Sequence, residues 1–359
     1  MTIGQPLRVL HAVKSLGIGG TEKAMQLMVC NLDRSRFTPF VCSALDGERR
    51  ALLKEAGVPV ILNSDLFRVI NQLKPDIVHI HRAGWPEPGF LKPLRLLRPR
   101  VVVETNVFGR LDGTPLGGVI DKHLFVSQFC LERFAAEFGP SVDLSRYQVL
   151  HNPVDTDLLG LTAPERDFSR TVAGRLSRAD PGKWSRLAFD MLEHLKAAHP
   201  DFKFLVLGAT PEFEDFVRER GLFANVEILP PLVRDEDLSS FFGRMSLLAH
   251  ANDTGESFGM AIAEAMAAGL PVVTHPTRGN RDNAQVELVE HGVTGLVANT
   301  VEEYAGAVSW LWTHPDEARR MGLAGREKAA RLYRVQNITR ALEDIYQELL
   351  DRPCRPCQP

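Results

Sequence analysis

The stretch TGESFGMAIAEAMAAGLPVVTHP, residues 254–276, runs a helix pattern straight into a strand. Alanine and methionine, both strong helix formers, fill its centre, and Gly269 and Pro271 stop the helix before the apolar run that follows. The polar TGES begins it, and Ser257 is the expected N-cap. Glu256 then stands just outside the helix, beside free amides from Ser257 to Met260, and Glu264 lies about two turns inside. Eight residues of helix span about 12 Å, too far for two carboxylates to share a proton or a metal. They suit the two ends of one elongated ligand, with the amides between them facing a diphosphate. A capped helix carrying one half-buried glutamate satisfies the same spacing.

Outward from this helix–strand pair, short apolar runs alternate with helical patterns along the whole chain. LRVLHAV precedes TEKAMQLMVCNL, FTPFVCSAL precedes ERRALLKEAG, and PDIVHIH precedes a Pro-rich loop and a basic helix. RVVVET and KHLFVS complete the first half; TVAGRLS, KFLVLGA, NVEILPP, SLLAH and PVVTHP make up the second. Strand-then-helix repetition predicts α/β architecture, with doubly wound parallel sheets covered on both faces. A chain of 359 residues is long for one such unit. The alternation breaks near Leu150 into a polar stretch with two prolines. The expected domains are therefore 1–150 and 151–335, with 336–359 a final amphipathic helix and tail carrying Ile338, Leu342, Ile345 and Leu349 on one stripe.

Composition narrows the class. Apolar residues at 44% and charged residues at 24% are those of a soluble globular protein. No secretory leader and no apolar run of spanning length is evident, and five cysteines suit a reducing, cytoplasmic compartment. Cys354 and Cys357 form a C-x-x-C without a second pair beside it, in what reads as a frayed tail. Residues 1–150 hold 19 Lys/Arg against 14 Asp/Glu, and the remainder 23 against 31, so the first half is basic and the second acidic. Much of the basic excess is Lys92, Arg95, Arg98 and Arg100, interleaved with leucines and with Pro93 and Pro99 interrupting the helix. The segment reads as a solvated face or as a peripheral dock on an anionic membrane. No basic–aromatic pattern points to nucleic acid.

Ligands of doubly wound sheets bind at the carboxyl ends of the strands. Three segments fall there. Gly17–Glu22, after the first strand, is a tight turn or a loop that lets a phosphate approach the following helix. It fails as a dinucleotide fingerprint, because the third glycine position is Glu22. In VAGRLSRADPGKW, residues 172–184, Arg175 and Lys183 are surface cations or a pair for phosphate oxygens. The third segment is the opening stretch.

ESFGMAIAEAMAAGLPVV resembles the E-x7-E signature of glycosyltransferase family 4. GIGGTEKAM, PDIVHIH, HNPVD, GRLSR with Lys183, and VELVEHGVTGLVAN agree with that family in order, so the resemblance covers almost the whole chain. It implies a GT-B fold: two Rossmann-like domains facing a central cleft, with the C-terminal helix crossing back to the first domain. It also implies retaining transfer of a sugar from a nucleotide-diphosphate sugar to an acceptor hydroxyl, with no cofactor and no metal. By resemblance, Glu256 contacts the donor sugar, while Ser257 and the amides of Phe258, Gly259 and Met260 meet sugar hydroxyls or phosphate. Glu264 holds the ribose, Arg175 and Lys183 neutralise the leaving diphosphate, and Gly19 and Gly20 close over it. The acceptor is a glycan, a lipid-linked sugar or a small molecule.

The chain departs from the pattern in three places. Asn106 stands where members often carry a histidine near the reacting carbon, and His81 is the nearest substitute. The Arg175–Lys183 spacing is long. RGNRDNAQ, residues 278–285, replaces a shorter Gly-rich turn, so Arg281 and Asn283 are candidates for substrate choice. Other readings are a nucleotide-sugar epimerase, with His81 its one evident acid or base, and a non-catalytic nucleotide-sugar-binding subunit.

Overall fold

Most of the apolar runs become strands buried on both faces, as a parallel sheet between helices requires; the edge strand Val226–Leu229 is the exception, with Ile228 exposed. The computed structural model describes residues 5–139, 145–162 and 166–352, so Cys354 and Cys357 lie outside the described residues. The chain forms two units: Met1–Pro153 with Val335–Pro359, and Val154–Arg334.

In unit 1 the strands are β1 (Leu7–Ser15), β2 (Phe37–Leu45), β3 (Val60–Leu62), β4 (Ile77–Arg82), β5 (Val101–Asn106), β6 (Lys122–Phe125) and β7 (Tyr147–Val149). They form one sheet in the order β3-β2-β1-β4-β5-β6-β7, with every pair parallel. Strand order reverses between β1 and β4, the switch point of a doubly wound sheet. The three-residue β3 and β7 escaped the sequence reading, because three residues carry no period to detect.

Unit 2 contains β8 (Val172–Leu176), β9 (Lys203–Leu207), β10 (Val226–Leu229), β11 (Leu247–Ala249), β12 (Val272–Thr274) and β13 (Gly295–Val297). Their order is β10-β9-β8-β11-β12-β13, again all parallel, with the switch point between β8 and β11. Phe189, Phe204, Phe213, Tyr304 and Trp312 build the core over one face of this sheet. Here β13 is the short strand that the sequence pattern missed.

The final helix, Val335–Asp351, returns to unit 1. Its stripe of Ile338, Leu342, Ile345 and Leu349 is buried against Val9, Phe37, Ile77 and Val103. Tyr346 on the same face reaches into the sheet, where its hydroxyl lies 2.6 Å from His79 Nδ1 and 3.3 Å from His11 Nε2. His79 Nε2 meets Thr105 at 2.8 Å, and His11 Nδ1 meets His81 Nε2 at 3.0 Å. These three histidines, on β1 and β4, form a buried hydrogen-bonded chain under the helix.

The basic segment is one helix, Pro88–Leu97, that continues through Pro93 rather than breaking there. Pro93 lacks only one N–H of the ladder, and buried Leu91 and Leu94 hold the helix down. Arg98 ends it in the left-handed region at φ 46°, donating its N–H to Leu94. Lys92, Arg95 and Arg98 are exposed, and Leu96 is bare to solvent beside them. Arg100 is exposed as well, and it donates from Nη2 to the Leu350 carbonyl of the final helix at 2.8 Å. Among the described residues, no helix is long and apolar enough to cross a membrane.

Candidate active site

Unit 2 gathers its chemistry at the β8/β11 switch point. Arg175 lies on β8, Lys183 ends the 3-10 turn that follows, and β11 runs into His250, Asn252 and Glu256. The two loops are zipped together by backbone. Thr254 N–H and Oγ1 both bond the Gly182 carbonyl, at 3.3 and 3.0 Å, and Asp253 N–H donates to Trp184 O. Lys183 Nζ therefore reaches Glu256 Oε2 at 3.0 Å.

The opposite carboxylate oxygen is held as firmly. Asn252 Nδ2 donates to Glu256 Oε1 at 2.6 Å, and His250 Nε2 lies 3.1 Å from the same atom. A carboxylate only accepts, so this contact favours the His250 tautomer protonated on Nε2, while Asn252 Nδ2, 3.3 Å from the same nitrogen, favours the other. Burial raises the Glu256 pKa, but Lys183 and the His250 hydrogen bond outweigh it and draw the group down to about 2. Burial pushes His250 below its ordinary value, against the pull of Glu256, so it is neutral near pH 7.

Glu256 is also fixed through its backbone by residues 278–285. Its N–H donates to Gln285 Oε1 at 3.0 Å, and its carbonyl accepts from Ala284 N–H at 2.8 Å. Gly255, at φ 70°, passes so close to this loop that a Cβ would fall 1.6 Å from the Asp282 carbonyl oxygen. Only glycine fits there. Asn283, expected to influence substrate choice, instead accepts hydrogen bonds from the Thr277 N–H and from Gln285 Nε2, while Arg281 is exposed.

Arg175 is fully buried and is the floor of this cluster. Its Nη2 bonds the Lys183 carbonyl, its guanidinium carbon sits 4.2 Å from the Trp184 ring centre, and its Nε and Nη1 find no acceptor among the described residues. Burial lowers its pKa to about 10, so it keeps its charge at neutral pH. In this arrangement the 177–184 loop covers it, and direct contact with a ligand requires that loop to shift.

The helix of the opening stretch starts later than its polar lead suggests. Met260–Ala267 is helical, and its N-cap is Gly259 at φ 105°, not Ser257. A left-handed residue cannot sit inside a right-handed helix, so Ser257 and Phe258 belong to the preceding turn. Phe258 is buried edge-on against Tyr333 at 5.2 Å. Glu264 then stands little more than one turn from the helix start, about 6 Å of rise, and is 3% exposed. The 12 Å of continuous helix expected between the two acids does not exist.

The remaining candidates lie in unit 1. Gly20 opens the helix Gly20–Asn31, with Gly19 as its N-cap. A Cβ on Gly19 would meet the Glu22 carboxylate at 2.3 Å, and Glu22 itself accepts from the Ser15 hydroxyl at 2.7 Å. His81 is 3% exposed and bonded to His11, and burial pushes its pKa down to about 3. Asn106 is 1% exposed; its amide donates to the Arg110 carbonyl at 2.8 Å and accepts from the Arg110 N–H at 3.3 Å. The expectation that either touches a sugar is not carried by this geometry, because both side chains are turned to internal partners. His250, Asn252 and Gln285, which the sequence reading missed, surround Glu256 instead. A signal was available: three polar residues in AHAND follow directly on an apolar strand.

Known proteins are similar to this chain in sequence and in fold. Residues 169–328 match the family described as "Glycosyl transferases group 1". A GDP-mannose-dependent alpha-(1-6)-phosphatidylinositol monomannoside mannosyltransferase of Mycobacterium tuberculosis is 29% identical over 286 residues, 74% of this chain and 67% of that protein. The N-acetyl-alpha-D-glucosaminyl L-malate synthase of Bacillus anthracis is 30% identical over 161 residues, 42% of this chain and 38% of that protein. Among solved structures, a glycosyltransferase from Rickettsia africae superimposes with a TM-score of 0.78 at 18% identity, covering 98% of this chain and all of that one. HepE of Anabaena, solved in complex with UDP, gives 0.77 at 18% identity over 95% of this chain and all of that one. The architecture is that of GT-B enzymes, two parallel-sheet Rossmann-like domains.

Proposed function

We propose that this chain, which is a glycosyltransferase, is a retaining enzyme of family 4 that draws on a nucleotide-diphosphate sugar. The acceptor hydroxyl oxygen bonds to the anomeric carbon as the anomeric carbon–oxygen bond to the diphosphate breaks. The diphosphate leaves with that electron pair and takes up the acceptor's proton. The observation that carries the reading is the Lys183–Glu256 pair above buried Arg175 at the switch point of unit 2. Lys183 and Arg175 supply the positive charge that developing negative charge on the diphosphate needs, so no metal is required. Glu256 receives a sugar hydroxyl, Glu264 the ribose, and the amides of Phe258, Gly259 and Met260 the phosphate or sugar.

A hexose donor is favoured by the GDP-mannose dependence of the mycobacterial relative and by the UDP-glucose bound to HepE. The acceptor is a glycan, lipid-linked sugar or small molecule, and Lys92, Arg95 and Arg98 offer a peripheral contact to an anionic membrane. The epimerase alternative has lost its acid or base, since His81 is buried in the histidine chain. The test is a panel of UDP- and GDP-hexoses, read by thermal stabilisation and slow donor hydrolysis, with and without EDTA. One donor should stabilise the protein and be hydrolysed at an EDTA-insensitive rate. A panel in which none binds would sink the proposal, and loss of hydrolysis in EDTA would sink its metal-free part.

A further inference from the structure

Trp85 in unit 1 is 48% exposed. Its ring lies parallel to that of Phe108, with 8° between the planes and 5.5 Å between the centres. The two residues stand on loops that leave the carboxyl ends of neighbouring strands β4 and β5, and β4 borders the switch point of this sheet. That is the edge where open parallel sheets receive ligands.

Trp85 packs one face of its ring on Phe108 and leaves about half of its surface to solvent. Here the loop is fastened from beneath by buried charges. Arg82, its side chain 1% exposed, donates from Nη1 to the Trp85 carbonyl at 2.5 Å and to Asp112 at 3.1 Å. Its Nε pairs with Glu104 at 2.5 Å, and Glu104 also bonds His123. Phe108 is tied to the same frame: its N–H donates to the Ala83 carbonyl at 3.3 Å, and its carbonyl accepts from Arg133 at 2.9 Å. Gly84, at φ 102°, presses against Asn106, where a Cβ would come within 2.3 Å of the amide oxygen. Burying charges is a weak way to stabilise a core, but it fixes geometry well. What this cluster fixes is a half-exposed indole backed by the parallel ring of the partly buried Phe108.

We propose that Trp85 and Phe108 form a stacking platform for a pyranose ring of the acceptor. A pyranose has an apolar C–H face that packs on an aromatic ring and a rim of hydroxyls that needs polar partners. Glu87 and Lys14 provide that rim. Glu87, two residues beyond Trp85 and half-buried, accepts the Ala83 N–H at 3.3 Å and interacts electrostatically with Lys14 and Arg82. Lys14 is exposed near the end of β1, across the switch point. The proposal rests on the chain being a sugar transferase, but not on the roles assigned to Glu256, Lys183 or Arg175.

Saturation-transfer NMR of the full chain with methyl α-mannopyranoside, methyl β-glucopyranoside and methyl α-galactopyranoside tests it, comparing wild type with Trp85→Ala and Trp85→Phe. Thermal stabilisation by GDP and UDP is measured on the same samples. At least one glycoside should show ring-proton saturation that falls about five-fold or more in Trp85→Ala, the scale of one aromatic contact, and survives in Trp85→Phe. Nucleotide stabilisation should be equal in all three proteins. Absence of glycoside saturation in wild type, or equal saturation in Trp85→Ala, overturns the platform. So does a Trp85→Ala protein that loses phosphatidylglycerol vesicles while no glycoside binds, since Trp85 is then a membrane anchor. Failure of the donor reading shows separately, as wild type unstabilised by either nucleotide.

Discussion

Replacing Glu256 by glutamine should tighten the binding of a bare nucleoside diphosphate while nearly abolishing transfer. Lys183 is paired with Glu256 at 3.0 Å, with the two side chains only 25% and 16% exposed. A diphosphate must draw Lys183 away before that charge can serve it. A carboxylate held at about 2 rather than at 4.5 has its charged form favoured by about 3 kcal/mol. Lys183 is the largest source of that preference, with His250 behind it, so a diphosphate must overcome on the order of 1–2 kcal/mol to draw Lys183 away. Glutamine keeps the shape and the Asn252 contact but removes this cost, along with the repulsion between carboxylate and phosphate. Isothermal titration with GDP and UDP should therefore show a Kd about ten-fold lower than wild type. The sugar contact is weakened by the same change, so turnover with the hexose donor should fall about 100-fold. A Glu256→Gln protein that is folded, by its thermal transition, yet binds the diphosphate more weakly than wild type would refute the ion-pair exchange.

Arg175→Ala should slow transfer about 100-fold, measured as kcat with saturating donor, and unchanged turnover removes Arg175 from the mechanism. Glu264→Ala should weaken GDP or UDP binding by roughly 1.5–3 kcal/mol, the loss of a charge-assisted bond to ribose; equal losses in Glu264→Ala and Glu256→Ala would contradict their division of labour. His11, His79 and His81 have pKa values lowered by burial, so the folded state holds them neutral while the unfolded chain binds protons below about pH 6.5. Stability is thus present above that pH and is lost on acidification, by at most about 4 kcal/mol per pH unit for the three together; urea midpoints for unit 1 that stay flat from pH 7 to 5.5 would disprove it. Tyr346→Phe strips a partner from His11 and His79 and should lower stability by about 1–3 kcal/mol, read from the same urea curves. Vesicle sedimentation at low salt should lose anionic-lipid binding in a Lys92, Arg95 and Arg98 triple-alanine variant; wild type that ignores such vesicles ends the membrane reading.

The alternation of runs such as LRVLHAV and TEKAMQLMVCNL was enough to anticipate parallel-sheet units, because strand and helix periods are carried by neighbours along the chain. The stripe of Ile338, Leu342, Ile345 and Leu349 announced a packed final helix for the same local reason. Arg175, Lys183 and Glu256 were identified as candidates from residue type and from their place after strands. What they touch was hidden. Lys183 and Glu256 are 73 residues apart, and they meet because β8 pairs with β11 rather than ending its sheet. Gln285 reaches the Glu256 amide across 29 residues, and its loop closes only because Gly255 has no side chain. His81 looked like a sugar contact by position, yet the pairing of β1 with β4 turns it toward His11, while Asn106 is turned to the backbone of Arg110, four residues on. Local pattern determined which elements exist; strand order decided which polar groups face one another, since a hydrogen bond depends on distance in space and not on separation along the chain.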